Sequence, residues 1–268
     1  MSSEDDEPNT VLVSTTPRGI TTITINRPHR RNAVNPATAD RLYAAFRAFE
    51  DDPSQKICIL TGAGDTFCAG FDLHSLSSGS RSPAAPVGGR NAGPMGPSRL
   101  QVRKPVIAAV AGHAVAGGLE LSLLADLRVA EEDAVFGVFC RRWGVPLIDG
   151  GTVRLQAVVG LGRALDMILT GRAVGAREAL GMGLVSRVVP KGKALEEAVR
   201  LAEGLLEFPQ ECMNLDRGNA YYSAYQATSF EDAMRNEFEN GVKVVERESV
   251  KGAERFSKGA GRHGSFKM

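Results

Sequence analysis

Apolar and polar positions along the chain fall into two regimes that change over near residues 190–205. In the first regime, short apolar runs of strand length alternate with helical spacings. Val11–Thr15 and Ile20–Ile25 read as two strands joined by Pro17-Arg-Gly19, a hairpin signal. Asn26–Arg31 is a polar connector. Asn35-Pro36 then supplies an N-cap with proline in the first helical position. Leu42, Ala45, Phe46 and Phe49 follow at helical spacing, which predicts an amphipathic helix over 36–50. Lys56–Leu60 returns as a short buried strand. A strand–helix–strand unit of this length implies a parallel pair with a right-handed crossover.

Further on, Val106–Val110 is an apolar run of strand length that leads through a Gly-rich turn into a helical pattern carried by Leu119, Leu123 and Leu124. Before it, Ser77–Ser98 is rich in Ser, Gly and Pro. It is expected to be a mobile surface loop, either a lid or pocket rim or an insertion without a role. Asp126–Ala130 and Ala134–Val138 read as strands, and Gly150-Gly151-Thr152 as a turn opening a helix. Arg163–Thr170 and Ala176–Leu180 follow as short helices and Leu184–Val189 as a strand. Beyond Pro190 the pattern is helical near 192–206, 210–222 and 230–248, with Phe230, Met234 and Phe238 at i, i+4, i+8. The expected organisation is a disordered polar tail over 1–9, a mixed strand–helix core over 10–195 and a helical region over 196–268, with no internal repeat.

Composition narrows the function. The chain has 268 residues, 43% apolar and 24% charged, which suits an ordinary globular protein with a large core. A net charge of +1 gives no footing for nucleic acid or a membrane surface. No apolar run approaches the ~20 residues that span a bilayer. Met1–Asn9 is acidic and polar, unlike a signal or transit peptide, so a cytoplasmic location is expected. Cys58, Cys68, Cys140 and Cys212 lack paired spacing and read as free thiols, mostly buried. His29, His74, His113 and His263 are scattered, and no metal site is expected.

The candidate chemistry lies in Gly112-His-Ala-Val-Ala-Gly117-Gly118-Leu-Glu120. A strand feeding a helix through such a turn leaves free backbone N–H groups where the helix dipole favours negative charge. Two readings stand. The glycines serve tight helix–sheet packing and Glu120 is a solvated first-turn acid, or the amides form an oxyanion hole beside a general acid/base.

Three stretches together favour the second reading. Thr24–Val34, Leu60-Thr-Gly-Ala-Gly-Asp-Thr-Phe-Cys-Ala-Gly-Phe-Asp-Leu73 and Lys104–Glu120 resemble, in order and interval, the enoyl-CoA hydratase/isomerase (crotonase) family. The likeness runs from about residue 10 to 255. It implies an α/β fold of repeated ββα units wound into a spiral, with a helical C-terminal region that makes a trimer, often stacked as a dimer of trimers. It also implies an acyl thioester of coenzyme A as ligand, with no cofactor beyond the coenzyme A of the substrate. The thioester oxygen would be held by the backbone N–H groups of Phe71 and Gly117. Arg31 and Ala33 would lie near the adenine, and Ala69, Asp72 and Leu73 along the pantetheine path. Ala116, Cys140 and Trp143 are further substrate-binding candidates, and Phe256–Lys258 would meet the CoA phosphates of a neighbouring subunit. Asp72 has a second reading as the cap of the following helix.

The chain also departs from the family. Hydratases of this kind hold one water between two glutamates; the first falls on Glu120, but the second position is Cys140. A thiol does not replace a carboxylate; Cys140 reads as pocket wall, or as a nucleophile if a base or cation sits beside it. Asp149, in Asp149-Gly-Gly-Thr152, resembles the aspartate of dienoyl-CoA isomerases, or else it caps the helix that follows. Trp143 lines the acyl pocket or, the preferred reading, fills the core. Three functions remain open. The first is hydration with Glu120 activating water and Asp149 or a bound water replacing the missing acid. The second is isomerisation by Glu120 and Asp149 through an enolate, and the third is acyl-CoA binding without catalysis.

Overall fold

The computed structural model describes residues 7–77 and 86–259. The first six residues of the expected tail, residues 78–85 of the Ser/Gly/Pro-rich segment and residues 260–268 lie outside that range.

The opening elements form for the reasons visible in their side chains. Helix α1 (Pro36–Asp51) begins where the Asn35 side chain accepts the Thr38 N–H at 2.9 Å, with Pro36 in the first turn. Its inner face buries Leu42, Phe46 and Phe49, and Ala45 packs half-buried beside them. Strand β1 (Val11–Thr15) pairs antiparallel with β2 (Ile20–Ile25), and β2 pairs parallel with β3 (Ile57–Gly62) on the far side of α1. Parallel pairing continues through β4 (Val106–Val110), β6 (Leu127–Glu131) and β9 (Arg187–Val189), giving one sheet in the order β1-β2-β3-β4-β6-β9. β3 and β4 are covered on both faces, so they read as unbroken apolar runs rather than alternating ones.

The chain leaves β4, turns at Gly112 and immediately starts β5 (His113–Val115), where only a turn was expected. β5 pairs parallel with β7 (Val135–Gly137), and β7 antiparallel with β8 (Val174–Gly175), as a second sheet. Helices α2 (Leu73–Ser77), α3 (Gly117–Ser122), α4 (Gly151–Val159), α5 (Leu161–Thr170) and α6 (Ala176–Gly181) connect the strands. The Ser/Gly/Pro-rich segment departs most from expectation. Gly93–Ser98 is buried throughout and Pro97–Arg99 forms a single 3-10 turn, so this part is interior structure rather than mobile surface.

The chain divides into two compact units, 1–202 and 203–268, with the division inside α7 (Ala194–Leu206). The second unit contains α8 (Gln210–Tyr225), α9 (Phe230–Val244) and α10 (Val250–Ser257). Asp232 at the start of α9 accepts the Tyr222 hydroxyl at 3.1 Å and the Thr228 N–H at 2.9 Å, which ties α8 to α9. The single helix expected over 230–248 is interrupted: Val245–Ser249 winds as a π-helical turn. From it Glu248 accepts the N–H groups of Glu211 and Cys212 at 3.3 and 2.8 Å, capping α8, whose own N-cap residue Pro209 offers no side-chain bond. Phe230, Met234 and Phe238 are solvent-exposed, so their helical spacing builds no core within this chain. Among the described residues no helix is long and apolar enough to cross a membrane.

Candidate active site

The site begins with two backbone turns brought edge to edge. The Cys68 N–H donates to the His113 carbonyl at 2.9 Å and its own carbonyl accepts the Val115 N–H at 3.1 Å, so the chain through Ala69–Phe71 runs beside Val115–Gly117. Gly70 has φ +103°, and a Cβ there would lie 3.0 Å from both the Gly117 nitrogen and the Ala116 Cβ. The turns meet only because that position lacks a side chain. On the other side, Val34 donates to the Gly70 carbonyl at 2.8 Å and Asp72 donates to the Val34 carbonyl at 2.9 Å.

Between these bonds the Phe71 N–H finds no acceptor among the described residues, and the Gly117 N–H at the start of α3 finds none either. Ala116, just before α3, adopts φ +53°, ψ −125° although it carries a Cβ. Such backbone costs on the order of 1–3 kcal/mol and persists where the surroundings hold it. Here the hold is the Ala116 N–H, which donates to the Gly137 carbonyl at 2.9 Å and so ties the turn to β7.

Phe71 and Gly117 both line a cavity of about 410 Å3. Glu120 and Asp149 line it, as do Ala69, Leu73, Ala116, Cys140 and Trp143. Arg31, Ala33 and Asp72 do not. The Arg31 carbonyl accepts the Ala69 N–H at 3.0 Å, which sets that segment against the loop leading to Phe71, with the Arg31 side chain exposed. Asp72 instead accepts the His74 N–H at 3.1 Å, capping α2, and pairs at 2.9 Å with the fully buried Arg27 guanidinium. Its capping role is therefore the observed one, and its carboxylate lies away from the cavity.

The two carboxylates are built into one structure. Glu120 Oε1 accepts the N–H groups of Asp149 and Gly151 at 2.9 and 2.8 Å, so it caps α4 from the neighbouring helix. Asp149 Oδ1 accepts the Met95 N–H at 3.0 Å and the Ser98 hydroxyl. The capping role considered for Asp149 is overturned: α4 starts from Gly150 with no side-chain cap of its own, and Glu120 does that work. The second oxygen of each carboxylate accepts from no described residue. Burial, and then the Asp149 charge, push the Glu120 carboxyl up to about 7. Burial also raises Asp149, against the opposing pull of the Ser98 hydroxyl and the Met95 N–H.

Cys140 forms cavity wall, and burial followed by the Glu120 charge raise its thiol pKa. The pull of Arg141 toward the thiolate is outweighed by burial and the Glu120 charge; Arg141 itself donates to the Ile168 carbonyl at 3.0 Å, and Arg142 stacks on the Phe139 ring. Trp143 is 71% exposed while lining the cavity, which overturns its assignment to the core. The sequence reading missed Leu76, Met95, Phe139 and Ile148 in the lining. Leu76 lies one helical turn after Leu73, a detectable signal; Met95 sat in a segment read as surface. Cys58, Cys68 and Cys140 are buried and all four cysteines are free. Among the described residues no group of three or more His, Cys, Asp or Glu is arranged to hold a metal ion.

The family model for enoyl-CoA hydratase/isomerase matches residues 15–257. The chain is 41% identical over 190 residues to enoyl-CoA hydratase EchA19 of Mycobacterium tuberculosis, covering 68% of this chain and 70% of that one. It is 37% identical over 189 residues to a carnitinyl-CoA dehydratase of Escherichia coli, covering 69% and 70%. The crystal structure of an enoyl-CoA hydratase from Mycobacterium tuberculosis superposes with TM-score 0.85 at 34% identity, covering 94% of this chain and 96% of that one. The chain belongs to the enoyl-CoA hydratase/isomerase family. It has that family's fold, and its ligand class is acyl-CoA.

Proposed function

We propose that this protein adds water across the double bond of a 2-enoyl-CoA, using Glu120 and Asp149 as its acid/base pair and the Phe71 and Gly117 amides as its oxyanion hole. The observation that carries the reading is the shared cavity: Phe71 and Gly117, whose amides have no acceptor among the described residues, line the same space as two carboxylates, each with one oxygen uncommitted among those residues. The thioester oxygen accepts both N–H groups. As the oxygen of water bonds to C3, the C2–C3 π pair moves toward the carbonyl, and the negative charge gathers on the oxygen the amides hold. One carboxylate takes the proton that water loses, and the other, as the acid, delivers one to C2. Fixed donors serve such a step well because nothing has to reorganise as the charge forms; losing one typically costs ~10²–10³ in rate. Two carboxylates joined through the Asp149 N–H also suit the capture of a single water between them. The coenzyme A end would follow Ala69 and Leu73 outward, with Arg31 and Ala33 beside its adenine.

The activities of the similar proteins, a hydratase and a dehydratase, support this class of chemistry. A second reading, double-bond migration by the same pair, is favoured by Asp149 itself, because Cys140 occupies the second glutamate position. Absorbance at the conjugated-thioester band separates them. Loss of signal with a 2-enoyl-CoA supports hydration, and gain with a 3-enoyl-CoA supports isomerisation. Silence with both, alongside measurable CoA-ester binding, supports a binding protein without catalysis. The exposed Phe230, Met234 and Phe238 support assembly of the helical region into a homotrimer or a dimer of trimers. A monomeric mass in solution would contradict that assembly.

A further inference from the structure

We infer that Ser98 is a positioning residue that gives the two carboxylates opposite roles: its hydroxyl holds Asp149 as the anionic proton acceptor for water, leaving Glu120 to carry the proton delivered to C2. The inference rests on the hydration reading of the Glu120–Asp149 site.

Ser98 follows directly on a tight turn. The N–H groups of Gly93 and Gly96 each donate to the other's carbonyl at 2.8 Å, closing a tight loop with Pro94 and Met95 at its tip. Gly93 leaves room for the contact that follows: a Cβ there would come within 2.2 Å of Ser98 Oγ and 2.7 Å of Asp149 Oδ1. Ser98 is 1% exposed, and its hydroxyl donates to the Asp149 oxygen that also accepts the Met95 N–H. Arg154 on α4 clamps the same turn from behind. Its guanidinium donates to the Ser98 carbonyl at 2.6 Å and to the Leu100 carbonyl at 2.9 Å. The turn and Asp149 are thus fixed to each other from both sides, with Oδ1 occupied and Oδ2 left for the cavity.

Two neighbouring buried carboxylates do not both ionise readily. The groups that decide which one does face Asp149 from every side: Glu120 on α3, Arg99 in the Ser98 turn, Arg154 on α4 and Cys140 across the cavity. Glu120 receives only backbone N–H donors, whereas Asp149 receives a hydroxyl as well and has Arg99 beside it. With the charge on Asp149, the proton remains on Glu120, whose carboxyl titrates at about 7.

The test is the pH profile of hydration by the full-length protein and its Ser98→Ala, Ser98→Thr and Asp149→Asn variants, followed with a 2-enoyl-CoA. The wild-type kcat/KM is expected to fall on the alkaline side near 7 as Glu120 loses its proton. In Ser98→Ala the acidic limb should move up by about one pH unit and kcat should drop about tenfold, the worth of one charge-assisted hydrogen bond, with KM within about twofold. Ser98→Thr should restore both. If Ser98→Ala does not fold, Ser98→Cys, a weaker donor of similar size, is read the same way. A Ser98→Ala profile that superposes on wild type, or a rate loss with no movement of the acidic limb, would overturn the assignment. Asp149→Asn separates the two failures. Wild-type turnover in that variant removes the hydration pair itself, whereas an inactive Asp149→Asn beside an unchanged Ser98→Ala removes only the role of Ser98.

Discussion

Replacing Glu120 by glutamine should make the protein more stable in alkali while depriving it of activity. The Glu120 carboxyl is raised from 4.5 to about 7 by burial and by the neighbouring Asp149 charge. A group raised on folding contributes stability that is complete below its unfolded value and is lost as pH climbs through its folded one. The window is therefore pH 4.5 to about 7. At 1.36 kcal/mol for each pKa unit, holding Glu120 ionised in the fold costs about 3 kcal/mol above pH 8. Glutamine keeps an acceptor oxygen for the Asp149 and Gly151 N–H groups and carries no charge, so that cost disappears. For a chain of this size a kcal/mol moves the midpoint by about 2–4 °C, so Glu120→Gln should melt about 6–12 °C higher than wild type at pH 9. The two should nearly coincide at pH 5. Thermal unfolding of both proteins at pH 5, 7 and 9 measures the difference directly. A difference independent of pH would mean that Glu120 is not a desolvated acid, and the site would lose its proton carrier. The same variant should show a much lower kcat with little change in CoA-ester affinity.

Three further outcomes follow from the packing. Asp72→Ala strands the buried Arg27 guanidinium, which among the described residues keeps Glu7 and the Ala33 carbonyl, and should cost about 2–3 kcal/mol in a denaturant titration. Against the upward push of burial, Arg27 holds Asp72 below the usual carboxylate range, so its contribution is present at neutral pH and lost as pH falls through that lowered value. Gly93→Ala places a methyl within 2.2 Å of Ser98 Oγ and 2.7 Å of Asp149 Oδ1. Displacing those groups should lower kcat about 100-fold with the fold retained by circular dichroism; an unchanged kcat would mean that their placement is immaterial. Cys140→Ala should keep turnover within about threefold, because a thiol made less acidic by burial is a poor nucleophile; a loss of several hundredfold would make Cys140 part of the chemistry.

What the chain disclosed before folding depended on how local each signal was. The α1 cap, the parallel β2–β3 pair and the Gly117-Gly118-Leu-Glu120 turn all announce themselves within a few residues. Phe71 and Gly117 were named through family motifs, and both residues line the cavity. The misses are long-range. Gly93-Pro-Met-Gly-Pro-Ser98 has the composition of a surface turn, and only its burial beside Asp149, 51 residues away from Ser98, turns it into site structure. Asp149 stood at a natural capping position, but a carboxylate from α3 reached α4 first and freed Asp149 for the cavity. Phe230, Met234 and Phe238 have a core-like period that their own chain does not bury. Periodicity identifies the face of a helix without identifying what covers it. Trp143 was drawn toward the core by its size, yet it stands exposed at the cavity.

The proposed chemistry depends on two backbone N–H groups, which side-chain substitution does not remove, so the substrate itself has to report on them. The vibrational spectrum of a 2-enoyl-CoA carrying a 13C label at its thioester carbonyl, bound to Glu120→Gln so that it does not turn over, reads the polarisation of that bond. A carbonyl band well below its position in water is expected, because two fixed donors pull electron density onto the oxygen. A band at the free-thioester frequency under saturating binding would show that the Phe71 and Gly117 amides do not hold the carbonyl.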